Sequence, residues 1–290
     1  MRPGILLSAV SSATLFISCC ATKAEDNPLR YHFDSPAAVW EECLPQGNGR
    51  IGLMADGKTG TEKIVLNEIS MWSGSRELND NTDAVKYLPE IRSLLFQGRN
   101  DEAQELTYRT FTCAGVGSFG GRSYAKPYGS YQLFGNLYID YGMQGEVSLY
   151  RRELNLCDAT QTVSYCQGGV NYRRELFASY SDDVIAVRIT ADRKKSINLR
   201  ISMDRESNVP LNALQAPVCT SEDGDLVFRG RLQSGTEPDG DSAFLGTGYE
   251  GRVRALTVGK GRVESHDGII EVSGADQVVI LTGMKTDYFG

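Results

Sequence analysis

The chain has 290 residues, 41% of them hydrophobic and 23% charged, an ordinary globular composition with enough length to bury a substantial core. A net charge of -7 and a pI near 5.1 argue against a nucleic-acid surface, because phosphate affinity comes mainly from Lys and Arg displacing counterions. A neutral or weakly charged partner fits better. Glycines outnumber prolines 31 to 9, and Val, Ile, Thr and Tyr fall in short runs between turn residues, which predicts an all-β chain with many tight turns.

In chain order, the first segment reads Arg2, an apolar stretch over residues 5–17, then Ser18, Cys19 and Cys20. That stretch is too short to span a bilayer and has the three-part form of a secretory signal over residues 1–19. Phe16-Ile17-Ser18-Cys19 also fits a loose bacterial lipobox, which would lipidate Cys19 and hold the protein as a periplasmic or cell-surface lipoprotein. Cys20 is the alternative, and a simple cleaved signal the plainer reading. Residues 20–30 read as a polar tether.

Residues 31–72 alternate short apolar runs with glycine turns, so strands are expected around residues 50–54 and 63–66. Over residues 79–111 the spacing becomes helical: Leu88, Ile91, Leu94 and Leu95 share one face, Gly98 closes the turn, and Asn100 is placed to cap a second short helix with Ala103 and Leu106. Residues 114–129 are rich in Gly, Ser and Tyr and read as a surface loop. Strands dominate from Tyr131 on. Gly168-Gly169 suits a type I′ two-residue hairpin, a register that sets Tyr165 opposite Tyr172. Ile197, Leu199, Ile201 and Met203 alternate with polar residues, which is a strand with one buried face, and residues 277–281 are apolar on both faces and so belong in mid-sheet.

Signals for chemistry are sparse. There is no phosphate loop, Gly-x-Ser-x-Gly elbow or Cys/His nucleophile pattern. The two histidines, His32 and His266, are not at ligand spacing from another His or Cys, so no metal or other cofactor is expected. Cys43, Cys113, Cys157, Cys166 and Cys219 are odd in number and irregularly spaced, and are expected mostly as small buried apolar residues rather than a disulfide framework. Glu68, Glu153 and Glu175 are weak catalytic candidates, each with an Arg or Lys nearby in sequence. Tyr150-Arg151-Arg152-Glu153-Leu154 and Tyr172-Arg173-Arg174-Glu175-Leu176 form a near repeat, which predicts two neighbouring strands each exposing an Arg/Glu pair.

Ordered motifs carry a resemblance. Leu44-Pro45-Gln46-Gly47-Asn48-Gly49-Arg50 and Leu66-Asn67-Glu68-Ile69-Ser70-Met71-Trp72-Ser73-Gly74 come first. The helical text, Tyr131-Gln132-Leu133-Phe134-Gly135-Asn136-Leu137 and the two Tyr-Arg-Arg-Glu-Leu segments follow. In this order they resemble the N-terminal module of glycoside hydrolase family 95 α-L-fucosidases. The resemblance implies a mainly β fold over residues 31–290, a large two-sheet antiparallel β-sandwich with a short helical insertion. It also implies an inverting hydrolase of terminal α-L-fucosides in glycans, or α-L-galactosides, whose acid and base lie in a following (α/α)6 barrel. That barrel is expected to be absent from this chain, so no catalytic residue is carried over, and the expected partners are a fucosylated glycan and the barrel itself.

Asn48, Trp72 and Ser73 are the substrate-proximal candidates, since an aromatic beside amides suits a sugar face and its hydroxyls. The plainer reading packs Trp72 into the sandwich edge and leaves Asn48 capping its own turn. The rivals to a fucosidase scaffold are a free-standing glycan-binding sandwich and the N-terminal module of a related family, such as the maltose-phosphorylase-like enzymes.

Overall fold

The computed structural model of the chain describes residues 29–73, 80–112, 130–143, 145–206, 216–232 and 246–288. The proposed signal, both candidate lipidation cysteines, Cys113 and the loop expected at 114–129 lie outside them. The chain opens with strands β1 (Arg30–Phe33), β2 (Leu44–Gly47), β3 (Ile51–Ala55) and β4 (Thr61–Glu68), then makes helices α1 (Leu88–Phe96) and α2 (Asn100–Thr110). It returns to strands with β5 (Gly135–Asp140), β6 (Val147–Asn155), β7 (Thr160–Gln167), β8 (Val170–Ala178), β9 (Val184–Ala191) and β10 (Ile197–Asp204). The last described strands are β11 (Val218–Glu222), β12 (Asp225–Arg231), β13 (Gly248–Val258), β14 (Arg262–His266), β15 (Ile269–Ala275) and β16 (Gln277–Thr286).

These strands form two antiparallel sheets. A nine-stranded sheet runs β1-β6-β7-β8-β9-β16-β13-β12-β11 and a seven-stranded sheet runs β14-β15-β10-β5-β4-β3-β2. Period-two alternation decides which side chains meet between them. Ile64, Leu66, Leu137, Ile139, Ile201 and Ile270 point in from the seven-stranded sheet, and Val163, Leu176, Val187, Ile189 and Ile280 from the nine-stranded one, all in one core. Each such side chain contributes about 1.5–3 kcal/mol by leaving water. β10 follows the expected alternation along its length, and β16 lies between β9 and β13 with no free edge, as its two apolar faces required.

The hairpin at Gly168-Gly169 forms as expected. Both glycines have positive φ, 58° and 69°, and Tyr165 pairs with Tyr172, their rings stacked at 5.3 Å. The helical excursion also forms, with Gly98 at φ 72° and Ile91, Leu94, Ala103 and Leu106 making a small core of their own. Asn100 departs from expectation: it is the first residue of α2 rather than its cap, and no side chain caps that end.

Two other expectations need correction. The near-repeat strands β6 and β8 are not neighbours, because β7 lies between them. Each does expose an Arg/Glu pair, Arg151 with Glu153 and Arg173 with Glu175, but alternation sends the second arginine of each segment into the interior. Arg152 reaches the carbonyls of Ser35 (2.7 Å) and Glu42 (2.6 Å) and lies over the Phe33 ring. Arg174 pairs with Glu62 at 2.5 Å inside the core, beside the Tyr141 hydroxyl (2.8 Å) and the Gly57 carbonyl (3.0 Å). Of the described cysteines, Cys43 is buried, Cys166 and Cys219 are half-buried, and Cys157 is exposed in the turn between β6 and β7.

Candidate functional site

Asn48 sits in the tight turn joining β2 to β3, where its side chain holds both its own loop and a loop of the opposite sheet. Its Oδ1 accepts the amides of Arg50 and Ile51, each at 2.9 Å, and its Nδ2 donates to the Ser179 carbonyl (2.8 Å) and Asp183 Oδ1 (3.0 Å). Both ends of the amide are therefore occupied, and the residue ties the two sheets together at one end of the sandwich. Arg50 repeats the connection, donating to Asp183 Oδ2 at 3.0 Å and to Glu68 Oε1 at 3.4 Å.

Glu68 closes β4 with its side chain inward and 1% exposed. Its other oxygen accepts the Ser70 amide (2.8 Å) and hydroxyl (2.6 Å), and that hydroxyl also meets Thr286 at 2.5 Å. The carboxylate is paired, capped and sealed, so it has no open approach to a sugar. Glu153 takes Arg30 (3.2 Å) and Arg151 (2.8 Å), and Glu175 takes Arg173 (3.1 Å) and Arg188 (3.5 Å). These two lie on strands separated by β7, about 9.5 Å apart at ordinary strand spacing. An inverting pair requires a separation of about 6.5–9.5 Å across an enclosed site with one carboxyl kept protonated. Both carboxylates instead rest on the outer face of a sheet among guanidinium groups.

A groove of about 350 Å³ beside Asp183, lined also by Asp182, Glu250, Arg252 and Lys285, meets the same objection. The hydroxyls of Ser179 and Ser181 hold Asp182 below its usual carboxyl range, and Arg229 does the same for Glu250. Neither is suited to donate a proton to a leaving group. Among the described residues the carboxyl that burial pushes upward is Glu62, which is enclosed in the core against Arg174.

Trp72 behaves differently. It forms an isolated bridge with Tyr131, and the rings meet edge to face at 5.5 Å and 65°. Trp72 is 53% exposed and Tyr131 41%, so the pair faces solvent instead of packing into the sandwich edge. Ser73 is occupied: its Oγ donates to the Ser130 carbonyl (3.1 Å) and accepts the Ser130 amide (3.0 Å). The Tyr131 hydroxyl points back to Asn67 Oδ1 and to the Glu68 carbonyl at 3.3 Å. The structure thus brings Trp72 and Ser73 together and links them to the Asn48 turn through Glu68 and Arg50, while Asn48 and Ser73 are spent on the fold. Tyr131, Asn67 and Asp183 were not singled out as site residues from sequence. Tyr131 lies 59 residues from Trp72 across the helical excursion, a distance no local pattern bridges.

The family described as glycosyl hydrolase family 65, N-terminal domain, matches residues 31–290. The chain belongs to this family. Curated relatives of this family 65 domain are α-fucosidases, in agreement with the motif resemblance. "Alpha-L-fucosidase 2" of Arabidopsis thaliana is 32% identical over 182 residues, 62% of this chain and 20% of that protein. "Probable alpha-fucosidase A" of Aspergillus niger is 32% identical over 199 residues, 65% of this chain and 23% of that protein. The protein of the same name in Aspergillus oryzae is 25% identical over 270 residues, 89% of this chain and 33% of its own length. The chain therefore spans about a fifth to a third of these relatives.

Proposed function

We propose that this family 65 N-terminal domain is the scaffold module of an α-L-fucosidase-like inverting glycoside hydrolase, and that the 290-residue chain does not hydrolyse fucosides by itself. The match to α-fucosidases at 32% identity carries the reading. The tied state of Glu68, Glu153 and Glu175 agrees with it, because inverting hydrolysis needs a protonated acid and a water-holding base facing each other across one site. In this reading the acid and base belong to an (α/α)6 barrel, and the sandwich supports its substrate end.

Purified chain is expected to leave 2′-fucosyllactose intact, while a polypeptide extended by the remaining length of an α-fucosidase relative releases fucose with inverted anomeric configuration. Turnover by the 290-residue chain, abolished by Glu68→Gln, would overturn the proposal. A second reading, a module acting with an enzyme of other glycosides, is favoured by the family 65 description of the domain. Phosphate-dependent cleavage of a glucoside by the extended polypeptide, with no release of fucose, would select it.

We also propose export and lipidation at Cys19, on the strength of the lipobox text. Each buried methylene of the acyl chains supplies about 0.8 kcal/mol of membrane affinity. Cys19→Ala is expected to move the protein from the membrane fraction of expressing bacteria to the soluble one. Retention of that variant at the membrane would refute Cys19 and point to Cys20 or to no lipid at all.

A further inference from the structure

The exposed pair at Trp72 and Tyr131 is held more firmly than stray surface aromatics are. The Trp72 amide donates to the Ser70 carbonyl (2.8 Å), and its own carbonyl accepts the Thr247 hydroxyl (2.8 Å). On one side of the bridge the Ser73 amide donates to the Ser130 carbonyl (2.9 Å) and the Ser130 amide to the Ser73 hydroxyl (3.0 Å), and on the other the Gln132 amide donates to the Met71 carbonyl (2.8 Å). The Tyr131 hydroxyl is held by Asn67 Oδ1 and the Glu68 carbonyl, while the residue stays 41% exposed. Two large rings are thus ordered before anything binds, and the entropy of fixing them is already lost on folding. Trp40, the other tryptophan, is equally exposed at 55% but stacks on no other ring among the described residues.

Polar groups border the pair. Asn67 turns its oxygen to Tyr131, and its Nδ2 has no hydrogen-bond partner among the described residues. Gln132, next to Tyr131, donates to Ser130 Oγ at 2.9 Å and accepts Arg205 at 3.1 Å. An apolar face edged by amide and guanidinium donors matches the amphipathic surface of a sugar ring, whose C–H face stacks on indole while its hydroxyls accept hydrogen bonds. The chain's net charge of -7 opposes an anionic ligand.

We propose that Trp72 and Tyr131 form a preformed stacking platform for a neutral pyranose of a glycan, with Asn67 and Arg205 as the hydrogen-bonding rim. The choice of a glycan rests on the fucosidase reading, whereas the platform belongs to this chain and is tested on it alone. In a Trp40→Phe background Trp72 is the remaining indole, so its fluorescence reports the site directly. Titration with 2′-fucosyllactose and lactose is expected to give a saturable change with a dissociation constant of about 1 mM, and 3′-sialyllactose to bind more weakly. By calorimetry, Trp72→Ala is expected to weaken binding at least about tenfold and Trp72→Phe by less, each with an unchanged circular dichroism spectrum.

Three results would overturn the platform: no response to the neutral sugars, equal affinity in a folded Trp72→Ala variant, or a preference for the sialylated sugar. Hydrolysis by the extended polypeptide together with any of them would leave the fucosidase reading standing and remove the platform alone. Conversely, binding by this chain with no fucose release by the extended polypeptide would keep the platform and remove the enzyme reading.

Discussion

Arg174→Leu is expected to lower the unfolding free energy by about 3–5 kcal/mol, read from urea denaturation at neutral pH. Arg174 is 2% exposed and satisfies three groups at once: the Glu62 carboxylate, the Tyr141 hydroxyl and the Gly57 carbonyl. Removing it leaves a buried carboxylate with the Tyr141 hydroxyl alone as a side-chain partner, and a charge in low dielectric is costly without its counterion. Replacing both partners, as in Glu62→Leu with Arg174→Met, is expected to restore most of the loss, because no charge then remains to be desolvated. The loss also depends on pH. Burial pushes the Glu62 carboxyl above its ordinary value of 4.5, and Arg174 pulls the other way. A raised folded pKa means the folded state holds the proton more readily than the unfolded chain, so stability falls as pH climbs above 4.5. Without Arg174 the proton is held harder and the fall is steeper. Arg174→Leu should therefore be nearest to wild type in acid and furthest from it at neutral pH, and a variant deficit independent of pH would refute this account.

The other large effect is expected at Phe134, fully buried in the core between the two sheets. Its ring lies 5.4 Å from that of Tyr249 and 6.0 Å from that of Phe228. Across from it, Gly251 leaves the space the ring fills: a Cβ there would come within 2.9 Å of Phe134 Cε1. Phe134→Ala creates a cavity that neighbours on two hydrogen-bonded sheets cannot collapse into, and should cost about 3–5 kcal/mol by chemical denaturation. The same variant, where still folded, is expected to loosen Tyr131 three residues away. A loss below about 1 kcal/mol would show that the site repacks, contrary to the rigid geometry described.

The parts of this fold that were legible in the sequence are those in which a local rule and the tertiary environment agree. Gly168-Gly169 specified a turn, the turn specified the register of Tyr165 with Tyr172, and the alternation in β10 matched its burial residue by residue. What stayed hidden required knowledge of neighbours. The repeated Tyr-Arg-Arg-Glu-Leu text reads as surface, since arginine is seldom buried without a partner, and the partner of Arg174 lies 112 residues away in β4. The candidate site shows the same division. Asn48 and Trp72 stood out as residue types in turn-rich text, but only the fold separates them, because one spends its amide on four bonds, two within its own turn and two to the opposite sheet, and the other keeps its ring in water. Asn100 failed as a cap because the preceding Gly98 turn starts the second helix one residue early.

The position of β16 has a consequence for how the molecule comes into being. It is the last described strand in sequence, yet it joins β9 to β13 in the middle of the nine-stranded sheet. During synthesis from the N-terminus, a five-stranded part ending at β9 and a three-stranded part ending at β13 emerge first, each with an unsatisfied row of backbone donors and acceptors. Nothing zips them together until residues 277–286 have been made. The β9 border therefore stays open while residues 192–276 are made and the β13 border while residues 259–276 are made, when pairing with another copy is the main hazard, and closure is a long-range event. A stop codon just before Gln277 would leave the sheet as two separate pieces.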